Sequence, residues 1–91
     1  MSTTKKLSII IPCYNEKATI EKILKEVMAV KLGNTEKEII IVDDCSDDGT
    51  RAILSKLANK NKNIKLILQD SNKGKGAALK RGISSSTGDV V

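Results

Sequence analysis

Apolar residues along the chain form three short runs, and each run has the length of a β-strand. They cover residues 7–11, 38–42 and 64–68. The middle run contains Ile-Ile-Ile-Val, and such β-branched residues are typical of a strand buried on both faces. Pro12 follows the first run and has no amide hydrogen, so we predict that this strand ends there. Residues 89–91 are typical of the beginning of a fourth strand.

Helical spacing of apolar residues follows the first run. Apolar residues spaced three and four positions apart predict a helix with one apolar face. These residues are Ile20, Ile23, Leu24, Val27 and Met28. We predict Asn15 as the N-cap of this helix and Glu16 in its first turn. The helix is predicted to end around Lys31, with Gly33 and Asn34 as its C-terminal stop.

Two further segments are predicted to be helical, residues 48–58 and residues 77–83. A polar turn at residues 59–63 separates the second helix from the third strand. Strands and helices therefore alternate along the chain. This alternation predicts an α/β protein with parallel strands joined by right-handed crossovers.

The composition excludes several classes of protein. The 91 residues suffice for one small domain, and one Tyr with no Trp or Phe leaves little aromatic surface for stacking nucleic-acid bases. The net charge is +5, but residues 60–81 hold seven basic residues and one acid, whereas residues 38–48 hold five acids and no base. This polarity favours a ligand with anionic and hydrogen-bonding parts over a uniform polyanion. Solvated lysines on helix faces would explain most of the basic residues equally well.

The cysteines and the N-terminus bear on the cellular compartment. Cys13 and Cys45 have no metal-ligand spacing, and the chain has no His, so free thiols in a reducing cytosol are expected. No stretch approaches a membrane span of roughly 18 apolar residues, and the first residues lack the apolar region of a signal peptide. We expect a cytoplasmic protein, or one on the cytoplasmic face of a membrane.

Carboxylates follow the middle strand directly, at Asp43 and Asp44. In open α/β sheets, ligands bind beside the carboxyl ends of the strands, so at least one of this pair is predicted to face a ligand. Because side chains alternate along a strand, the two are predicted to lie on opposite faces. Ser46, Asp47 and Asp48 come after the strand, and capping of the second helix explains one or two of them.

A glycine-containing turn precedes the third helix. Gly74 and Gly76, flanked by Lys73 and Lys75, would let backbone amides approach a phosphate at the helix N-terminus. The spacing matches neither the P-loop nor the dinucleotide-binding pattern, so a simple helix-start turn is as good an interpretation. Tyr14 is placed to cover a flat ligand ring, although packing against its neighbours explains it equally well.

Four motifs, taken together, resemble one family. Residues 8–16, 41–50, 72–78 and 87–89 resemble, in this order, the N-terminal half of the nucleotide-binding region of family 2 glycosyltransferases. The resemblance covers nearly the whole chain, and residues 72–78 are most similar to polyprenyl-phosphate sugar synthases such as dolichyl-phosphate mannosyltransferase. It implies a GT-A fold, which is a Rossmann-like parallel sheet with helices on both faces. Residues 1–91 would then be a single partial domain, truncated, with strand order 3-2-1 and a stub of strand 4.

The resemblance also implies roles for individual residues. Pro12, Tyr14 and Glu16 would lie around the nucleoside of a nucleoside-diphosphate sugar. One aspartate of the pair Asp43 and Asp44 would accept a hydrogen bond from the base. The segment Gly74, Lys75 and Gly76 would border the nucleotide and its diphosphate.

The resemblance further implies what a full-length enzyme would add. The family's Asp-x-Asp motif, which holds Mg²⁺ or Mn²⁺ on the diphosphate, would follow the fourth strand beyond Val91, so we assign no metal ligand and no catalytic residue within the chain. The full-length enzyme is expected to transfer a sugar with inversion to an acceptor, for which a polyprenyl phosphate is one candidate. The 91 residues alone are expected to be inactive.

Two other classes of function stay open. One is a non-catalytic basic module that binds RNA or an anionic membrane surface through residues 60–81, against which the shortage of aromatic residues counts. The other is a fragment without activity that self-associates through an exposed sheet edge at residues 7–11.

Overall fold

The computed structural model describes residues 6–30 and 35–90, which form a parallel sheet with helices on both faces. The strands and helices follow in the order β1 (Lys6–Cys13), α1 (Ile20–Ala29), β2 (Glu36–Asp43), α2 (Thr50–Lys60), β3 (Ile64–Leu68), α3 (Lys75–Ser85) and β4 (Asp89–Val90). The strand order is β3-β2-β1-β4 with all pairs parallel. The predicted α/β fold with strand order 3-2-1 and a stub of strand 4 is confirmed.

Strand β2 is the centre of the sheet, as its sequence indicates. The four residues 39–42 have no exposed surface, because β1 and β3 flank the strand and helices cover both faces. Ile39 and Ile41 pack in one cluster with residues of α1 and α2, among them Leu24 and Leu54. Alternate residues of β2 point the other way and pack against α3.

The face that carries α3 is built from smaller side chains. Ile40 and Val42 of β2 pack there with Ile10 of β1 and with Ala78, which is fully buried. Gly82 comes so close to β1 that an added Cβ would overlap the Cγ2 of Ile10 and lie 3.3 Å from the Cγ2 of Val42. Small residues in α3 therefore allow this helix to approach the sheet closely.

A buried carboxylate connects the beginnings of the strands on the α3 face. The Ser8 hydroxyl and the Thr87 amide donate to Glu38 Oε1 at 2.8 and 3.0 Å, and the Thr87 hydroxyl donates to Glu38 Oε2 at 3.1 Å. Ser8 Oγ also accepts from the amide of Gly88 at 2.9 Å. The Thr87 amide, assisted by the hydroxyls, lowers the pKa of Glu38 from 4.5 to about 2. This network attaches the start of β4 to β1 and β2.

The prediction that Pro12 ends the first strand is wrong, because β1 continues to Cys13 with Pro12 opposite Val42. The Asp44 amide donates to the Cys13 carbonyl, so the peptide groups of Cys13 face β2. Peptide groups alternate in direction along a strand, and those of Pro12 therefore face the opposite edge, where a missing N–H breaks no bond to β2.

The predicted start of the first helix is also wrong. Helix α1 begins at Ile20, after Thr19, and Asn15 lies in a loop with a left-handed backbone (φ 51°). Glu16 precedes the helix, and its carbonyl accepts the amides of Thr19 and Ile20. The helix ends at Ala29. The predicted end at Lys31 and stop at 33–34 lie outside the described residues.

The other boundaries differ by a few residues. Helix α2 begins at Thr50 instead of residue 48 and includes the first two residues of the predicted turn, and α3 is longer than predicted at both ends. Both helices extend beyond their apolar residues, because polar side chains continue a helix that packing has already anchored.

Candidate functional site

A cavity of about 340 Å³ opens at the carboxyl ends of β1 and β2, beside the start of α3. Its lining comes from the end of β1 and the following loop, from the end of β2, and from the turn into α3. The lining residues are Pro12, Cys13, Tyr14, Glu16, Asp44, Asn72, Gly74, Lys75 and Ala78. This is the edge of the sheet at which open α/β proteins bind ligands.

Asp44 points to the α3 side of the sheet and is 4% exposed. Its two carboxylate oxygens accept the amides of Lys73 and Gly74, at 2.8 and 2.9 Å. The side-chain amide of Gln69 donates to the same carboxylate at 3.4 Å. The pKa of Asp44 is lowered, mainly by the amide of Lys73, so the carboxylate stays ionised at neutral pH.

Asp43 points to the other face and has no exposed surface. Its carboxylate accepts the amide of Ser46 at 3.0 Å, the hydroxyl of Ser46, and the Arg51 Nε of α2 at 2.7 Å. The Arg51 guanidinium also donates to the carbonyl of Gln69. Asp43 therefore holds the loop after β2 and connects it to α2, and it lies outside the lining of the cavity.

The loops after β1 and β2 are held together by three hydrogen bonds. The Asn15 amide donates to Ser46 Oγ at 2.9 Å, and the Asp47 amide donates to Asn15 Oδ1 at 2.9 Å. The Lys17 amide donates to Asp48 Oδ2 at 3.3 Å. Asp48 also accepts both the amide and the hydroxyl of Thr50, and the hydroxyl is the main cause of its lowered pKa. The N-cap of α2 is Gly49 and no side chain caps this helix, so the predicted capping by one or two of Ser46, Asp47 and Asp48 is wrong; Asp48 lies one residue before the N-cap.

The N-terminus of α3 lies at the cavity, where Gly74 and Lys75 line it. The first bond of the helix runs from the amide of Ala78 to the carbonyl of Gly74, at 3.1 Å. The N–H groups of residues 75–77 precede this bond and have no acceptor in the preceding turn of helix, as at any helix start. Together with the helix dipole and the exposed Lys75, they make this part of the site suitable for an anion.

A buried thiol lies beside the cavity, at the end of β1. Cys13 is 2% exposed, and burial raises its pKa to about 12, assisted by the nearby charge of Asp43. The thiol is therefore protonated at neutral pH and is a poor nucleophile. Cys45 is also a free cysteine.

The structure brings together six of the eight residues predicted for the site. They are Pro12, Tyr14, Glu16, Asp44, Gly74 and Lys75. Asp43 and Gly76 lie outside the lining. Asp43 is bonded to the loop after β2, and Gly76 is the second residue of α3. Tyr14 is 45% exposed at the rim, where a flat ring could stack on it.

Sequence reasoning did not assign Cys13, Asn72 and Ala78, which also line the cavity, although all three lie within the recognised motifs. It also missed Arg51 and Gln69, which hold the two aspartates. Their partners lie 8 and 25 residues away along the chain. A pattern of local spacing carries no signal for such contacts.

Two features are absent from the part of the chain that the structure describes. Within residues 6–30 and 35–90, no group of three His, Cys, Asp or Glu side chains is arranged to hold a metal ion. In the same part of the chain, no helix is long and apolar enough to cross a membrane.

Known proteins share both the sequence and the fold. Over 90 residues the chain is 33% identical to the glycosyltransferase AglE of Haloferax volcanii, a match that covers 99% of this chain and 30% of that protein. It is 40% identical over 85 residues to poly-beta-1,6-N-acetyl-D-glucosamine synthase of Staphylococcus aureus, which covers 93% of this chain and 20% of that protein. The chain thus spans less than a third of the length of these curated relatives.

Two solved structures have the same arrangement of strands and helices. The mannosyltransferase PcManGT from Pyrobaculum calidifontis, in complex with GDP-Man and Mn²⁺, matches with a TM-score of 0.85 and 26% identity, over 98% of this chain and 27% of that chain. S. aureus TarS 1-349 in complex with UDP-GlcNAc matches with a TM-score of 0.82 and 33% identity, over 94% of this chain and 25% of that chain. The model of the family described as glycosyl transferase family 2 matches residues 8–91. The chain therefore belongs to glycosyl transferase family 2, and its sheet is the Rossmann-like sheet of the GT-A fold.

Proposed function

We propose that this chain is the nucleotide-sugar-binding half of an inverting glycosyltransferase. The full-length enzyme transfers a sugar from a nucleoside-diphosphate sugar to an acceptor, and a polyprenyl phosphate is our candidate acceptor. Family membership supports the transfer of a sugar, and relatives of the same fold are described with GDP-Man or UDP-GlcNAc. The resemblance of residues 72–78 to polyprenyl-phosphate sugar synthases supports the candidate acceptor.

One observation carries the proposal, namely that the lining of the cavity combines two kinds of chemistry. Tyr14 and Asp44 offer a ring and an ionised acceptor, which suits a nucleoside base. The N-terminus of α3 with Lys75 offers donors and positive charge, which suits a diphosphate. A nucleoside diphosphate combines these two properties in one molecule.

A divalent metal, Mg²⁺ or Mn²⁺, belongs to the proposal for the full-length enzyme. Structures of relatives are described with Mn²⁺, but the described residues of this chain offer no suitable ligand cluster. We therefore propose that the metal ligands and the general base come from parts of the enzyme outside this chain, and that the 91 residues alone do not catalyse transfer. The place of reaction is the cytoplasm or the cytoplasmic face of a membrane.

The test is calorimetry of the chain with UDP and with GDP, in the presence and absence of Mn²⁺. We expect weak binding of one of them with no dependence on the metal, because only Lys73, Lys75 and backbone amides offset the charge of the diphosphate. Tight binding that requires Mn²⁺ would show that the metal ligands lie within the chain. Binding of neither nucleotide would contradict the proposed site.

We also propose that the isolated chain self-associates through β1. Among the described residues, β4 pairs only with Leu7 and Ser8, so the N–H of Ile10 faces an edge that no described strand covers. A lysine at position 10 would not test this edge, because the Ile10 side chain is 9% exposed and packs beneath α3. Light scattering over a concentration series, with exchange protection of the Ile10 amide, is the better test. A monomer at all concentrations would contradict the proposal.

A further inference from the structure

The turn before α3 encloses a carboxylate of the same chain. The amides of Lys73 and Gly74 converge on the two oxygens of Asp44, at 2.8 and 2.9 Å. Successive backbone N–H groups that point at one centre form a nest, which is a general anion-binding feature of proteins. The anion in this nest is the side chain of Asp44.

The backbone of Gly74 explains how the nest and the helix can follow one another directly. Gly74 has φ 91° and ψ 163°, a region that glycine alone occupies without strain. In this conformation its N–H points to Asp44, while its carbonyl accepts the first helical bond from Ala78. A side chain at this position would find open space, so glycine is needed for its backbone and not for room.

Asp44 itself is held in place by Gln69, the residue that follows β3. Gln69 is 3% exposed, and its side chain donates to Asp44. The backbone of Gln69 is fixed in turn, because its amide donates to the Asp43 carbonyl at 2.9 Å and its carbonyl accepts from Arg51. The carboxylate is therefore a rigid anchor for the turn.

We propose that Asp44 is a positioning residue, whose carboxylate fills the Lys73–Gly74 nest and thereby fixes the start of α3 in the site. The ligand phosphates then meet the N–H groups of residues 75–77, and the amides of 73 and 74 are reserved for Asp44. The identity of the ligand rests on the proposed function, whereas the filled nest is a property of the free chain. Asp44 thus affects diphosphate affinity through the turn, in addition to any contact with the base.

The first experiment uses the free chain and the substitution Asp44→Asn, with Asp47→Asn as the control. Asparagine has a single acceptor oxygen, so at least one of the two amides loses its partner. We expect amide exchange at Lys73 or Gly74 to become roughly 10-fold faster or more, as for loss of a charge-assisted bond. Asp47 is exposed on the neighbouring loop, and its variant should leave both rates unchanged. Unchanged rates at Lys73 and Gly74 in a folded Asp44→Asn chain would overturn the proposal.

A measurement on the unsubstituted chain covers the case in which Asp44→Asn does not fold. NMR scalar couplings across hydrogen bonds should connect the amide nitrogens of Lys73 and Gly74 with the carboxyl carbon of Asp44. Their detection supports the filled nest. Their absence, in a chain where couplings across the β1–β2 bonds are detected, would overturn it.

The third experiment compares nucleotides with nucleosides, followed by NMR, in the unsubstituted chain and in Asp44→Asn. If Asp44 positions the diphosphate-binding end, UDP should lose roughly ten-fold more affinity than uridine, and GDP more than guanosine. Equal losses for nucleotide and nucleoside would overturn the effect on the diphosphate. An unsubstituted chain that binds neither nucleotide contradicts the proposed function instead, and the exchange rates still decide whether the nest is filled.

Discussion

The helices on the two faces of the sheet cover β2 in different ways. On the face of α1 and α2, large aliphatic side chains such as Leu24 and Leu54 fill the space between helices and strands. On the face of α3, Ala78 and Gly82 bring the helix backbone close to the strands. The small side chains of α3 bury little apolar area of their own. Their close contact with the strands fixes the position of α3 on the sheet.

The helices on the two faces contribute differently to the stability of the fold and to the cavity. The first face supplies most of the large buried side chains, and no residue of α1 or α2 lines the cavity. The second face supplies the helix N-terminus that opens into the cavity. Substitutions in α1 and α2 are therefore expected to change stability, and those in α3 to change both stability and the site.

The largest expected effect is on the α1 and α2 face, from Leu54→Ala. Leu54 has no exposed surface, and its truncation should lower the free energy of unfolding by about 2–5 kcal/mol. Urea denaturation measures this value. Because Leu54 does not line the cavity, nucleotide affinity of the folded fraction should be unchanged, and a loss of affinity would argue against the separation of the two faces.

A smaller loss is expected on the α3 face from Gly82→Ala. The new Cβ overlaps Ile10, and such overpacking costs about 1–3 kcal/mol. Gly76→Ala in the same helix is the matched control, because its Cβ meets nothing within 4 Å. Alanine there should stabilise the chain by up to about 1 kcal/mol. Urea denaturation of both variants compares them, and equal effects would show that α3 is not packed closely at Gly82.

Asp43 and Asp44 also test the comparison, because their carboxylates lie on opposite faces of the sheet. Asp44→Asn should weaken nucleotide binding by about 1–3 kcal/mol, because Asp44 lines the cavity. Asp43→Asn should mainly perturb the loop through Ser46 and Arg51. Calorimetry with the nucleotide that binds the unsubstituted chain gives both values. Equal losses of affinity would contradict the assignment of the two carboxylates to different faces.

A further test concerns Glu38, which makes the stability of the chain depend on pH in the acid range. The pKa of Glu38 is about 2 in the folded chain and 4.5 in the unfolded chain. The stabilisation that the ionised carboxylate gives to the fold is therefore complete above pH 4.5 and is lost as the pH falls toward 2. The free energy of unfolding of the unsubstituted chain should therefore fall more steeply over this range than that of Glu38→Gln. Parallel pH profiles for the two chains would show that the network with Thr87 does not stabilise the ionised form.

The central strand could be predicted because four consecutive β-branched residues strongly favour a strand buried on both faces. The β-branched run 39–42 and the matching run Ile64–Leu68 lie where the sequence placed them. The opposite orientation of Asp43 and Asp44 followed from the alternation of side chains alone, and their contacts agree with it.

What could not be predicted depends on directions and partners outside a local window. Pro12 was expected to end β1, since the sequence does not show which edge its missing N–H would face. Asn15 is a residue type that often caps helices, but its side chain accepts a hydrogen bond from the loop after β2, from an amide 32 residues away. The nest on Asp44 needs residues 29 and 30 positions further along, and only the folded sheet brings them together.

The bond between Ser8 and Gly88 has a consequence for synthesis on the ribosome. It joins residues 80 positions apart, and an added Cβ at Gly88 would lie 2.5 Å from the carbonyl oxygen of Lys6. At a usual rate of synthesis, roughly 4 to 16 s separate the appearance of these two residues. During this interval β1 can already pair with β2, but one side of it is open to chaperones or to another nascent chain. The first strand of the sheet is thus among the first to be made and the last to be fully paired.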